Sequence, residues 1–182
     1  RKRTRPRPSV PHRGRAEVAS RYPVHVTIRL RAGLPTLRAH KIAAVVGRCL
    51  AAAADRLGAR LVHYSLQRDH LHLLMEAADA HALARAVKGL SIRLAKAMNR
   101  LTGGRGQVVA DRYDAHILRT PLEVKRALVY VLQNARKHLS RPGVRIAWAV
   151  DPFSSAATFA DSMVAKNAFS SAFTPMSMSC LN

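Results

Sequence analysis

The chain has 182 residues, enough for one domain with tails, and 48% of them are apolar, which excludes a wholly disordered protein. Thirty-one Lys and Arg residues stand against ten Asp and Glu residues, so the formal net charge is +21 and a polyanion, usually nucleic acid, is the expected partner. The sequence contains no run of about 18 apolar residues, the length needed to cross a membrane, so no membrane partner is expected. The two cysteines form no Cys-x-x-Cys pair and are expected to be free thiols in a reducing cytosol. Together with a nucleic-acid partner, this predicts a cytoplasmic, nucleoid-associated protein.

Residues 1–21 differ in composition from the chain that follows. They contain eight Lys or Arg residues, three Pro residues and a single acidic residue, Glu17. Such a segment cannot bury a core, and it predicts a flexible basic arm that contacts phosphates. The folded domain is expected to span residues 22–155.

The first half of this domain predicts three strands and one helix. Pro23–Leu30 alternates apolar and polar residues, as a half-buried strand does. An Ala-rich stretch from Thr36 to Leu57 predicts a helix that ends before Gly58. Two further strands, Leu61–Gln67 and His70–Ala77, are expected to form a hairpin.

The next predicted element is a helix from about Ala80 to Leu101, ending at Gly103-Gly104. Its apolar residues fall within one arc of a helical wheel: Leu83, Val87, Leu90, Leu94 and Leu101. Its basic residues fall within the opposite arc: Arg85, Lys88, Arg93, Lys96 and Arg100. The pattern predicts a core face and a face that attracts phosphates, although a merely solvated basic face fits it as well.

The remaining elements are one strand and one helix. Gln107–Ala110 and Ala115–Leu118 predict a fourth strand bent at Asp111-Arg112. Thr120-Pro121-Leu122-Glu123 is a capping box, which predicts a third helix running to about His138. The resulting order predicts an α+β fold of the ferredoxin-like, split β-α-β type: an antiparallel sheet with helices over one face and the other face open for a ligand.

His70-Leu71-His72 lies on a predicted strand. Because side chains alternate along a strand, both imidazoles share one face and Leu71 points to the other. Two such imidazoles can bind one divalent ion, although a His-x-His tripeptide alone is more often incidental.

The third predicted helix carries the second half of a candidate site. Tyr130 lies in the middle of its polar face, where a structural tyrosine would gain little. Asn134 lies one turn further on the same side, and its carbonyl oxygen could complete a His-His-Asn site for Mg²⁺ or Mn²⁺. Gln133 is an alternative third ligand. Tyr113 is the second candidate nucleophile, or a platform on which a base stacks.

Several motifs together resemble the single-tyrosine HUH transposases, and within them the REP-associated tyrosine transposases. The motifs cover roughly residues 22–155 and are Pro-Val-His-Val-Thr at 23–27, Arg-Asp-His-Leu-His at 68–72, Asp-Arg-Tyr at 111–113, Tyr-Val-Leu-Gln-Asn-Ala-Arg-Lys-His at 130–138 and Asp-Pro-Phe-Ser-Ser at 151–155. The resemblance implies that His70 and His72 are metal ligands, that Tyr130 is the nucleophile and that Asn134 is at the third-ligand position. Related enzymes often have Gln or a carboxylate there, so the third ligand is the least specific assignment.

The resemblance also implies a reaction and a substrate. The reaction is transesterification of single-stranded DNA, commonly beside a hairpin, through a 5′-phosphotyrosine, by a monomer or a homodimer. Arg112 and the five basic residues of the second helix would contact the DNA. Two other readings stay open: a non-catalytic, domesticated or decayed nucleic-acid-binding protein, and a metal-dependent hydrolase that uses water instead of Tyr130.

The last part of the chain has a different composition. After about Asp151 it contains all four Phe residues and a single basic residue, Lys166. We expect residues 156–182 to be a tail outside the catalytic domain, either through ordinary terminal disorder or through a shifted reading frame in a decayed gene.

Overall fold

The computed structural model of the protein describes residues 17–139 and 151–156, with backbone alone for 134–139. Its sheet has five antiparallel strands in the order β2-β3-β4-β1-β5. The elements are β1 (Val24–Arg29), α1 (His40–Ala51), β2 (Asp55–Arg56), β3 (Ala59–Leu66), β4 (His70–Ala77), α2 (Ala80–Thr102), β5 (Asp114–Ile117) and α3 (Pro121–Leu139). Without the short β2, the strand order is that of a split β-α-β fold, so the predicted α+β, ferredoxin-like class is confirmed.

One face of the sheet is apolar and is covered by α1 and α2, which pack against each other. Alternate residues of β1 and β4 point to this face and are fully buried there. The central members of this core are Val24, Val26, Ile28, Leu71, Leu73, Val46, Leu50, Leu83, Leu94 and Met98. Burial of such side chains contributes roughly 1.5–3 kcal/mol each, so this face supplies most of the apolar stabilisation.

The third helix lies on the opposite face of the sheet, which the sequence pattern had left open. Leu74 of β4 and Leu118 pack there with Ala127, and Val124 and Leu128 of α3 join them. This second cluster is small because the remainder of that face is polar. The apolar stripe of α3 therefore anchors only part of the helix, and the ring of Tyr130, from its polar side, reaches His72 on the polar part of the sheet.

The ends of the two longer helices follow the signals in the sequence. Asp79 caps α2 by accepting a hydrogen bond from the Ala82 amide at 2.6 Å, and Gly103 ends the helix with φ +66°. In α3 the predicted capping box is present: the Glu123 carboxylate accepts from the Thr120 amide at 2.9 Å, and the Thr120 hydroxyl accepts from the Glu123 amide at 3.2 Å. Among the residues that the structure describes, no helix is long and apolar enough to cross a membrane.

The predicted helix from Thr36 to Leu57 was too long at both ends. Helix α1 begins only at His40, with no side-chain cap at Ala39. At the other end the chain turns into the β2–β3 hairpin, in which Leu57 and Gly58 both have positive φ angles of 60° and 74°. Two consecutive positive φ values are the signature of a tight hairpin turn. Gly58 therefore marks a hairpin turn that the Ala-rich sequence concealed.

Two smaller predictions also need correction. The expected fourth strand is split: Val109 makes an isolated bridge to Leu30, and only Asp114–Ile117 forms a strand beside β1. The chain bulges between these segments, around the predicted bend. Leu101, expected in the core, is 42% exposed, because the buried stripe of α2 ends with Met98.

Residues 151–156 pack against the domain although the composition changes at about this point. Asp151 is buried and forms a bidentate ion pair with Arg38, at 2.9 and 3.0 Å. Phe153 lies under the Arg38 guanidinium, and its carbonyl accepts from the Leu66 amide at 2.8 Å. The Ser155 amide donates to the Tyr64 carbonyl at 3.0 Å. This segment thus extends the sheet along the outer edge of β3. Of the predicted arm at 1–21 and the predicted tail at 156–182, residues 1–16 and 157–182 lie outside the described residues.

Candidate active site

His70 and His72 lie on the polar face of β4, as the alternation predicted. Their Nε2 atoms are 3.1 Å apart, and their rings are nearly perpendicular. His72 is buried, whereas His70 is partly exposed. The two nitrogens therefore converge on one point at the surface of the sheet.

The far nitrogen of His70 is held by a carboxylate. Its Nδ1 lies 2.8 Å from Oδ1 of Asp69, the preceding residue. Because an ionised carboxylate only accepts hydrogen bonds, the imidazole hydrogen belongs on Nδ1 and Nε2 presents a lone pair. Metal-binding histidines in proteins are commonly oriented in this way.

The far nitrogen of His72 faces strand β1. Its Nδ1 lies 3.1 Å from Nε2 of His25 and 3.3 Å from the Thr27 hydroxyl. Thr27 is the direct partner of His72 in the antiparallel register. The sequence placed His25 and Thr27 on the polar side of a strand, but it did not show which strand would lie beside it, so their contact with His72 was missed.

Tyr130 comes to the same place from α3. Its hydroxyl lies 3.4 Å from Nε2 of His72, and its ring packs edge-on against the rings of His72 and His25. The side chain is 39% exposed, so a large substrate can reach it. The structure therefore brings together Tyr130 and the histidine pair, which the sequence had placed on separate elements.

These side chains line one open cleft of about 690 Å³ between α3 and the sheet. Its walls carry groups of both charges, including the cations that would attract a phosphate. The lining residues beyond the histidine pair and Tyr130 are His25, Thr27, Arg29, Asp114, His116, Leu118, Glu123, Arg126 and Ala127. Arg126 precedes Tyr130 by one helical turn, so both project from the same side of α3.

Burial determines the charge state of His25. Desolvation lowers the pKa of its imidazole below the ordinary value, the positive charge of His116 lowers it further, and the carboxylate of Asp114 partly opposes both. His25 is therefore held neutral at neutral pH.

The separation of the two Nε2 atoms is in the range expected for two ligands of one bound ion. Two cis ligands of an octahedral ion, at about 2.1 Å from it, are about 3.0 Å apart, whereas tetrahedral zinc would hold them about 3.3 Å apart. The observed 3.1 Å is compatible with both arrangements, so the two nitrogens could bind one divalent ion. Within residues 17–139 and 151–156 the structure has no group of three or more His, Cys, Asp or Glu side chains that could hold a metal ion.

The two proposed third ligands lie at different places on α3. Asn134 is one turn beyond Tyr130, but its side chain lies outside the described residues. Gln133 lines a separate, largely apolar groove along the helix, with Val129 and Leu132, and is not among the residues that line the cleft.

The other predicted residues lie away from the cleft. Tyr113 is half-buried and packs against the main apolar core, while Arg112 is exposed in the preceding loop. Helix α2 covers the opposite face of the sheet, and its basic side chains lie there. Arg93, Lys96 and Arg100 line a groove of about 570 Å³ with Arg48 of α1. Three of the six predicted DNA-contacting residues therefore line a groove distinct from the cleft.

Comparison of the structure with solved structures identifies its fold. The structure of a REP-associated tyrosine transposase bound to a REP hairpin superposes with a TM-score of 0.64 and 14% sequence identity, covering 84% of this chain and 86% of that one. The chain shares the fold of that transposase. A structure described as a "putative transposase" from Deinococcus radiodurans has 21% identity and a TM-score of 0.46, covering 69% of this chain and 95% of that one. The sequence matches no protein-family model and no curated protein.

Proposed function

We propose that this protein is a single-tyrosine DNA transposase that cleaves and rejoins single-stranded DNA through a covalent tyrosine intermediate. The observation that carries the proposal is the convergence of three groups in one open cleft: the Tyr130 hydroxyl and the Nε2 atoms of His70 and His72. Packing alone does not explain it, because Tyr130 is exposed and the histidines point away from the apolar core. The shared fold with a REP-associated tyrosine transposase supports the same conclusion.

The reaction is an exchange of one phosphodiester for another. The Tyr130 oxygen attacks the phosphorus, loses its proton and forms a 5′-phosphotyrosine, while the bond to the 3′ oxygen breaks and that oxygen gains a proton. Bond energy is conserved, so attack by a 3′-hydroxyl on the phosphotyrosine reverses the step and joins the strands. Arg29 and Arg126 line the cleft and would neutralise the phosphate there.

A divalent metal ion, Mg²⁺ or Mn²⁺, would be held by Nε2 of His70 and His72, with Asn134 as the proposed third ligand. When bound, such an ion polarises a phosphate and orients it for in-line attack. The chain supplies the remaining parts of the site. The Tyr130 hydroxyl already lies beside the point where the two nitrogens converge, so little movement is needed to approach a phosphate held there.

The DNA would extend beyond the cleft. We propose that Arg85, Lys88, Arg93, Lys96, Arg100 and Arg112 contact its backbone, with the groove between α1 and α2 as the centre of this surface. The protein would act as a monomer or a homodimer on DNA in the nucleoid.

The test is a covalent adduct. The full chain is incubated with Mn²⁺ and a labelled pool of single-stranded oligonucleotides that contain hairpins, and adducts are separated by denaturing electrophoresis. Tyr130→Phe removes one oxygen atom and keeps the ring, so adducts should be lost while Mn²⁺ and DNA still bind. Tyr113→Phe is the matched control, since its ring packs on the core, and its adduct yield should be unchanged.

Three other outcomes would redirect the assignment. An adduct that persists in Tyr130→Phe and disappears in Tyr113→Phe would make Tyr113 the nucleophile. Metal-dependent cleavage without any adduct in either variant would indicate a hydrolase that uses water. DNA binding without cleavage in the unmodified protein would indicate a non-catalytic DNA-binding protein, whose binding surface would be the basic groove between α1 and α2.

A further inference from the structure

The hydrogen on His72 decides whether its Nε2 can bind a metal ion. A neutral imidazole carries one N–H, and the bare nitrogen is the one that can ligate. For Nε2 to face the cleft as a lone pair, the hydrogen must lie on Nδ1. That nitrogen points into the sheet, where His72 is only 4% exposed, so it needs a protein acceptor.

Two side chains of β1 can act as that acceptor. The His25 Nε2 lies 3.1 Å from Nδ1 of His72, and the Thr27 hydroxyl lies 3.3 Å from it. Both come from the strand that pairs directly with β4, so backbone hydrogen bonds fix their positions. A neutral His25 accepts at Nε2 when its own hydrogen lies on Nδ1.

His25 also contacts the proposed nucleophile. Its ring packs edge-on against the Tyr130 ring at 5.8 Å between centroids and lies 5.1 Å from the ring of His72. One side chain therefore touches both parts of the site. Removing its nitrogen while keeping a ring of similar shape would separate the hydrogen-bonding contribution from this packing.

We propose that His25 and Thr27 are positioning residues, which hold His72 with its hydrogen on Nδ1 and direct Nε2 toward the cleft. The inference rests on the proposed function, and it concerns two residues that the sequence motifs did not assign to the site. Since either side chain can accept the hydrogen bond, the two should substitute for each other in part. Their combined loss should therefore exceed the sum of the single losses.

The experiment measures Mn²⁺ affinity of the full chain by electron paramagnetic resonance, which does not depend on activity. Thr27→Val keeps the branched shape without the hydroxyl, and His25→Phe keeps a ring without the nitrogens. Each alone should weaken Mn²⁺ binding by roughly threefold, and the double variant by about 10–100-fold, as is usual for such partners of metal ligands. A double variant with His25→Phe and Thr27→Ser keeps a hydroxyl at position 27. It should therefore bind Mn²⁺ more tightly than the double variant with Thr27→Val, and about as tightly as His25→Phe alone.

A second measurement locates the hydrogen itself. In the Mg²⁺-saturated protein, the Nδ1 proton of His72 should give an exchange-protected ¹H–¹⁵N signal that disappears in the double variant. His81→Phe, which removes an exposed imidazole at the start of α2 on the other face of the sheet, is the control and should leave Mn²⁺ affinity within about twofold.

The outcomes separate this inference from the proposed function. Unchanged Mn²⁺ affinity in the double variant, a ligating Nδ1 on His72, or failure of the unmodified protein to bind Mn²⁺ would overturn the positioning role. Normal metal binding with the expected losses in the variants, but no covalent adduct, would leave the positioning role intact and refute the transposase reaction.

Discussion

Strand β4 shows two different uses of neighbouring residues. Leu71 and Leu73 point into the apolar core under α1 and α2, and both are fully buried. His70 and His72 alternate with these leucines along the strand. Their side chains point to the opposite face, where His72 meets Tyr130 of α3. The apolar face holds the fold together, whereas the polar face gives up apolar burial to gather imidazoles around a cleft. The apolar core and the candidate site are therefore separated by a single residue step along one strand.

The largest expected effect is on the polar face. His70→Ala or His72→Ala removes a proposed metal ligand, and each should lower metal-dependent adduct formation by at least about 100-fold, since even outer partners of a metal ligand contribute 10–100-fold. Circular dichroism should show the same fold, because neither residue belongs to the main core. Adduct formation at the original rate in both variants would show that the histidines have no part in the reaction.

The corresponding change on the apolar face is Leu73→Ala. It removes a fully buried side chain from the centre of the sheet, and the free energy of unfolding should fall by about 2–5 kcal/mol. Urea denaturation measures this loss. At urea concentrations below the unfolding transition, the adduct yield per folded molecule should equal that of the unmodified protein. If Leu73→Ala left stability unchanged but abolished the adduct, the two faces would not be separable.

A smaller effect, on DNA affinity, is expected from changes in the basic groove between α1 and α2. If five phosphates of a single strand are neutralised, log affinity should fall against log salt concentration with a slope of about −3.5. Replacing Arg93, Lys96 and Arg100 by Gln should make the slope shallower by about 2, without changing the rate of adduct formation at saturating DNA. An unchanged slope would place the DNA backbone elsewhere. Arg126→Gln, on the cleft side, should instead lower the rate.

The smallest expected effect concerns the cap of α2. The Ala82 amide holds the pKa of the Asp79 carboxyl below its usual range, so the charged cap stabilises the folded state above the unfolded pKa. This stabilisation is lost as pH falls through the lowered folded value. Asp79→Ala should lower the Tm by a few degrees at neutral pH, and the difference from the unmodified protein should shrink under acid. A Tm difference that stays constant with pH would show that charge makes no contribution.

Elements with a strong local pattern could be predicted from the sequence. The alternation in β1 and β4, the long amphipathic α2 and the capping box of α3 gave the right element types and nearly the right bounds. Tyr130 and the histidine pair lie on the polar sides of their own elements, as the sequence pattern predicted. The possible His-His-Asn ligand set and the resemblance to HUH transposases were the only signs that these elements meet.

Other features depend on tertiary contacts and left little trace in the sequence. The Ala-rich run before Leu57-Gly58 looked helical throughout, although its end turns into a hairpin. The position of α3 on the polar face follows from Leu74 and Leu118, two residues with no distinguishing pattern. His25 and Thr27 became visible as partners of His72 only when the strand order was known.

The outer edge of β3 has a consequence for how the chain can be shortened. A bare sheet edge presents free N–H and C=O groups, which pair readily with a second molecule. In β3 these groups are occupied at one end by β2 and at the other by the segment 153–155, through the Leu66 amide and the Tyr64 carbonyl. A chain cut before Asp151 would lose the ion pair to Arg38 and expose this edge, so self-association would follow. The segment thus covers part of a sheet edge that could otherwise pair with a second molecule.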